Sequence, residues 1–204
     1  MRSFALLTAA LALTAASCNR AAPMPANQAD YFPLAVGHEW YMDAVKESAA
    51  GQQWRGTAHR EIEKTVERDG HTWFLTRISI EFPPTAKSEY TKLVRKDLAG
   101  FHSLKEEDPP GSEQNEIPFP MTTGHHWERT DGSDKTQDEV LGAETLEIGG
   151  LVFTDCCHIR SRSPNGMVQE YWEAPKVGNV KSVISLPSGT RVTMTLHEFK
   201  PGPE

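Results

Sequence analysis

From residue 31 onward, segments in which hydrophobic positions recur at every second residue lie between turn signals, and no window of a dozen residues sustains the 3.6-residue period of a helix. In 190–199, Val192, Met194 and Leu196 fall on one side and Arg191, Thr193, Thr195 and His197 on the other. Residues 60–68 place Ile62 and Val66 opposite Glu61, Glu63, Thr65 and Glu67. Residues 71–82 carry Phe74, Ile78, Ile80 and Phe82 on one face and Trp73 and Leu75 on the other, so both faces of this segment's start are expected to be covered. Asp69-Gly70, Asp131-Gly132 and Asn165-Gly166 suit type I′ hairpin turns, and Gly149-Gly150 and Ser188-Gly189 suit tight turns as well. The fold class is therefore mainly β. The pattern predicts an antiparallel meander of about eleven strands, five in the first half and six in the second, forming an open half-barrel or a sandwich.

The meander contains an internal echo. Phe32-Pro33-Leu34-Ala35-Val36-Gly37-His38-Glu39-Trp40 returns as Phe119-Pro120-Met121-Thr122-Thr123-Gly124-His125-His126-Trp127. Pro holds the preceding Phe extended, Gly permits a left-handed turn, and Trp anchors the turn on a core. Gly37, Trp40, Gly124 and Trp127 are thus read as structural anchors of two tandem repeats, 31–106 and 118–199, within one β domain over 31–199. Chance recurrence of similar hairpins is the alternative. The acidic, Pro-containing linker at 107–117 is expected to be an exposed loop, and the tail 200–204 is expected to fray.

The N-terminus is of another kind. Arg2 precedes an apolar stretch, Phe4 to Ala16, which has the length of a signal-peptide core and is too short to span a bilayer. Ala15-Ala16-Ser17-Cys18 resembles the lipobox of bacterial lipoproteins, with Ala15 where Leu is usual. That resemblance implies a signal peptide over 1–17, acylation of Cys18, and a tether over 18–30 rich in Ala, Pro and Asn. A plain secretory signal cut near Ala16 is the alternative. Either way the protein is expected to be exported. In a Gram-negative cell it would reach the periplasm or outer membrane, held to the membrane by its N-terminal lipid.

Charge narrows the partners. With 28 acidic and 21 basic residues the net charge is -7, and no long basic run occurs, so nucleic acid is not an expected partner.

Candidate chemistry is sparse. Cys156-Cys157 would lie on opposite faces of a strand, so the two are expected to be unbonded, with Cys157 inward and Cys156 outward. His38, His125 and His126 are the histidines to weigh as metal ligands. They have neither HExxH spacing nor a carboxylate at fixed offset, so no metal is expected, and no other cofactor. Asp131 to Asp134 with Asp138 and Glu139 lacks EF-hand spacing and reads as a solvated hairpin. No GxSxG, SxxK, CxxC or Gly-rich phosphate loop occurs. The ionisable residues are expected to be exposed. Any groove is expected to be apolar, drawn from Trp54, Trp172, Phe74, Ile78, Ile80, Val192, Met194 and Leu196.

The opening FPLAVGHEW resembles that of a loose group of uncharacterised exported bacterial β-proteins beginning (Y/F)PLxxGxxW. Glu170-Tyr171-Trp172-Glu173-Ala174-Pro175-Lys176-Val177-Gly178 is similar to an element near their end. The long meander also resembles, at the level of fold alone, lipoprotein carriers such as LolA and LolB. The resemblance implies no catalytic residues. Two functions remain. One is a non-enzymatic, lipid-anchored envelope protein that binds an apolar ligand or a partner protein. The other is an exported hydrolase whose site leaves no local motif.

Overall fold

The structure, a computed structural model, describes residues 28–84, 86–131 and 134–203; the signal peptide, Cys18 and most of the tether lie outside them. A 3-10 turn, Gln28–Tyr31, is followed by twelve strands. They are β1 Glu39–Glu47, β2 Gln53–Arg68, β3 His71–Phe82, β4 Ala86–Lys96, β5 Gly100–Leu104, β6 Gln114–Pro118, β7 His126–Asp131, β8 Asp134–Ile148, β9 Leu151–Arg162, β10 Val168–Ala174, β11 Gly178–Ser185 and β12 Arg191–Lys200. Among the described residues no helix is long and apolar enough to cross a membrane.

One antiparallel sheet contains every strand, in the order β6-β5-β4-β3-β2-β1-β12-β11-β10-β9-β8-β7. Its twist curls it into a nearly closed barrel, more closed than a half-barrel and not a sandwich. The first and last strands pair, and the one seam lies between β6 and β7. Side chains bridge that seam. Trp127 Nε1 donates to the Glu116 carbonyl at 2.9 Å, and Arg129 pairs with the Glu116 carboxylate at 2.9 Å.

The strand beyond the expected eleven is β6, which overlaps the stretch expected to be an exposed loop. Only Ile117 in it is buried and apolar, too little for alternation to announce. The rest of that stretch is not free either. Arg68 donates to the carbonyls of Lys105, Glu106 and Asp108, and Arg95 pairs with Glu113 at 2.8 Å. Beneath these contacts Trp73, Leu75, Leu93 and Leu104 form a buried cluster on the outer face of the sheet. The start of β3 is therefore covered on both faces, as its residues suggest.

The two FP(L/M)xxGHxW segments form the same turn. Gly37 and Gly124 both have φ 83°. Gly37 N donates to Ile62 O and Ile62 N to His38 O; Gly124 N donates to Val140 O and Val140 N to His125 O. The tryptophans fare differently. Trp40 is 2% exposed, whereas Trp127 sits beside the seam and is only half-buried. The tail also departs from expectation. Gly202 N donates to His38 Nδ1 at 2.8 Å, so residues 200–203 dock on the Gly37 turn.

Cys156 and Cys157 correct a second expectation, since both are fully buried as free thiols. The register of β8 on β9 shifts between Glu144 and Leu146, and Asp155 adopts a left-handed φ of 56°. The hairpin bends there. Cys157 meets Met121, Val140 and Ile159 in one cluster, and Cys156 meets Trp172 and Val183 in another. Strand neighbours do point apart, but here both faces are covered.

Candidate functional site

The N-terminal turn plugs one end of the barrel. Tyr31 and Phe32 pack with Val94, Phe101, Ile117, Val140 and Ile159, which come from opposite walls. The plug is tied by polar bonds: Tyr31 Oη donates to Asp155 O at 2.7 Å, Lys96 Nζ to Phe32 O at 2.8 Å, and Lys176 N to Asp30 O at 2.7 Å. Burial pushes the Tyr31 hydroxyl up and the Lys96 ammonium down.

Above the plug the interior holds a cavity of about 460 Å³. Its two walls differ in kind. On β1, β2, β3 and β12 it is lined mostly by apolar side chains, Trp40, Met42, Ala58, Ile78, Ile80 and Met194, with Arg60 and His59 of β2 among them. Behind these, Ala44, Phe82, Ile184 and Val192 complete an apolar cluster. The facing wall, from β4, β6, β7, β10 and β11, presents Tyr90, Lys92, Glu116, Arg129, Gln169, Tyr171, Glu173, Asn179 and Ser182. A second space of about 460 Å³, bounded by Lys105, Asp108 and Gln114, shares Tyr90, Lys92, Glu116 and Arg129 with the first. These four side chains form a charged waist between the two.

Most of the interior charge is internally matched. Arg129 grips the fully buried Asp138 through Nε at 2.7 Å and Nη2 at 3.1 Å, and Ser161 Oγ also donates to Asp138. Glu116 faces Arg129, Lys92 at 3.6 Å and the Ser103 hydroxyl. Burial alone would raise the Glu116 carboxyl, but Lys92 and Arg129 hold it well below the usual carboxylate range. Glu173 is different. It accepts from Asn179 Nδ2 at 3.0 Å and has no ion pair among the described residues, so burial pushes its carboxyl up to about 7. Arg60 is the remaining cation. Its guanidinium lies over the Trp40 ring at 4.7 Å, its Nε is buried without a hydrogen-bond partner, and burial lowers its pKa.

The expectation that ionisable residues would be exposed is therefore wrong for the interior. An inward-facing polar residue and an outward-facing one occupy the same alternating positions. Of the groove residues named from sequence, Ile78, Ile80 and Met194 line the cavity. Val192 lies in the apolar cluster behind it, and Phe74 and Leu196 pack in the cores. Trp54 and Trp172 are elsewhere. Trp54 is half-buried under Lys46 at 5.6 Å. Trp172 is buried on the outer face, stacked on His158 at 4.1 Å, with its indole N–H given to Glu144. Sequence reasoning missed Arg60, Lys92, Glu116, Arg129, Asp138 and Glu173. The one signal available was that a polar residue stands in register with the apolar face, as Arg60 does between Ala58 and Ile62.

The histidines do not converge. His38 accepts from Gly202 and packs edge-on against Trp40 and Phe199, and burial lowers its pKa. His125 lies against Trp127 at 5.5 Å, and His126 is exposed, 3.8 Å from Glu139. No group of three or more His, Cys, Asp or Glu side chains that could hold a metal occurs among the described residues. Residues 132 and 133 of the acidic hairpin lie outside those residues, and Asp138 is spent on Arg129.

No family profile matches the chain, and no curated protein matches it. Among solved structures it is similar to a candidate exported protein with a YmcC-like fold from Bacteroides fragilis. That match has a TM-score of 0.52 and 12% identity, and covers 83% of this chain and 98% of the other. A candidate lipoprotein from Parabacteroides distasonis aligns over the same shares, 83% and 98%, at 13% identity and a TM-score of 0.43. The likeness to the Bacteroides protein is one of fold.

Proposed function

We propose that this chain is an exported, lipid-anchored envelope protein that binds a small ligand inside its barrel and has no catalytic activity of its own. The observation that carries the reading is the interior cavity of about 460 Å³, one wall apolar and the other polar, closed at one end by the Tyr31 plug. A barrel built only for strength would fill that space with side chains, and the volume lies within the range of small-molecule sites, about 300–1,000 Å³. Export rests on the signal-like leader and Cys18; Gln28, the first described residue, lies at the plugged end.

The test is saturable uptake of a neutral apolar probe, N-phenyl-1-naphthylamine, by the chain carrying Cys18→Ser. One site per chain is expected. Ile80→Asp, which places a charge on the apolar wall, should abolish uptake while leaving the β-sheet circular dichroism intact. Absence of saturable uptake by the parent would end the reading.

One observation favours the hydrolase alternative. Glu173 is a buried carboxyl in a cavity with its pKa raised to about 7, the profile of a general acid. Its only hydrogen-bond partner among the described residues, however, is the Asn179 amide, and the Ser and His that line the cavity, Ser182 and His59, are bonded to Asn179 and Glu39 and not to each other. Turnover of nitrophenyl esters or glycosides that Glu173→Gln abolishes would replace the binding reading.

A further inference from the structure

We propose that the ligand is a carboxylate-bearing amphiphile, its carboxylate on Arg60 and its apolar chain along Met42, Ala58, Ile80 and Met194. The inference deepens the binding reading and rests on it. Four observations lead there. First, Arg60 is the cavity cation left unmatched. Arg129 is held by Asp138 and Glu116, and Lys92 by Glu116, whereas no carboxylate comes within ion-pair distance of Arg60 among the described residues. A half-buried guanidinium in the cavity wall without an ion pair is costly unless an acceptor arrives, and its planar fork, offered through the terminal Nη pair, matches a carboxylate in a bidentate pair.

Second, Trp40 fixes the fork. Its ring lies under the guanidinium at 4.7 Å and is itself anchored by Nε1 donating to Val177 O at 2.5 Å. One face of Arg60 is thereby occupied, and its N–H edge remains for a ligand. Third, the surroundings suit one negative charge and not two. Glu173 faces Arg60 at the plugged end of the cavity, and the donors beside it, Asn179 and Ser182, are already engaged with one another and with Glu173. A dianionic phosphate would meet a single free cation beside a carboxyl. Fourth, the strand that carries Arg60 also carries Ala58, which pairs with Met42 on β1 and Ile80 on β3. The apolar wall therefore begins one residue pair from the guanidinium and leads away from the plug, so a chain extending from the carboxylate lies on it.

The experiment is calorimetric titration of the chain carrying Cys18→Ser with three probes of equal chain length: dodecanoate, dodecanol and dodecyltrimethylammonium. Dodecanoate should bind one per chain, at least tenfold more tightly than either of the others. Arg60→Met should weaken dodecanoate at least tenfold and leave dodecanol within twofold. Arg60→Lys keeps the charge and the stacked stem but loses the fork; it should weaken dodecanoate at least threefold, and it carries the test if the Met variant does not fold. Equal affinity for the three probes, or a carboxylate preference that survives both substitutions, overturns the proposal and leaves the cavity reading standing. Failure of all three probes to bind the parent overturns both.

Discussion

Replacing Glu173 by Gln should remove a specific pH dependence from the stability of this barrel. The Glu173 side chain is 7% exposed, and burial pushes its carboxyl from 4.5 to about 7. Arg60 and Lys92 pull the other way, and Tyr171, Cys156 and Cys157 are buried neutral groups near it. Below pH 4.5 the carboxyl is protonated in both folded and unfolded chains and contributes no dependence. Between 4.5 and 7 the unfolded chain releases the proton while the folded chain keeps it, so stability falls as pH rises. Above 7 both are ionised and the loss is complete, at about 3 kcal/mol in all. Gln is neutral at every pH. The difference in unfolding free energy between Glu173→Gln and the parent should therefore shift in favour of the variant by about 2–3 kcal/mol from pH 5 to pH 8. Urea unfolding followed by tryptophan fluorescence, with reductant present, measures it. Using the difference cancels His38 and His158, whose lowered pKa values act on both chains alike and with opposite sign. A difference that stays flat across that range would show that Glu173 titrates as an ordinary surface carboxyl, and would refute both its burial and the general-acid alternative.

Other outcomes follow from the same packing. Mass spectrometry of the exported protein should find an acylated Cys18 at the mature N-terminus, and Cys18→Ser should move it to the soluble envelope fraction; an unmodified N-terminus beyond residue 18 would contradict this. Trp40→Ala should cost about 3–5 kcal/mol in urea unfolding, and Trp127→Ala clearly less, because Trp127 is half-buried at the seam. Asp138→Ala leaves Arg129 with Glu116 as its remaining carboxylate and should cost about 1–3 kcal/mol by the same assay. Ellman titration without reductant should find both Cys156 and Cys157 free in the denatured chain and almost unreactive when folded, since burial pushes Cys156 up to about 11 and Cys157 further.

The strands were legible because their signal is local. Alternation such as Val192, Met194, Leu196 and turn pairs such as Asp69-Gly70 depend on neighbours within a few residues, and β3 and β12 fall where those patterns put them. What joins distant parts of the chain was not legible. Pairing of β1 with β12 brings Trp40 against Phe199, and nothing in either segment states that partner. β6 escaped because its hold on the sheet comes from β5 and from Glu116 contacts across the seam, not from its own apolar content. The Cys156 error has a similar origin. Alternation correctly sets neighbours on opposite faces, but the bend at Asp155 covers the face that would otherwise meet water.

The candidate site was misread for a reason that belongs to closed sheets in general. Sequence alternation reports two faces of a strand, and the usual inference assigns the apolar face to the core and the polar face to solvent. A barrel wide enough to hold a cavity breaks that assignment on both sides. Inside, Arg60 takes its place in the apolar register of Ala58 and Ile62, and Tyr171 and Glu173 of β10 line the cavity. Outside, Trp73 and Trp172 are buried under Arg95 and under His158 and Lys181 respectively. Trp172 was therefore placed in a groove it does not line, while Glu173, its immediate neighbour, points into the one that exists. The same closure makes the interior charges informative. On an open sheet Arg60 would be one solvated cation among many. Within the barrel it is stacked on a fixed tryptophan and has no carboxylate within ion-pair distance among the described residues, and that unmatched charge is what the proposed carboxylate ligand would answer.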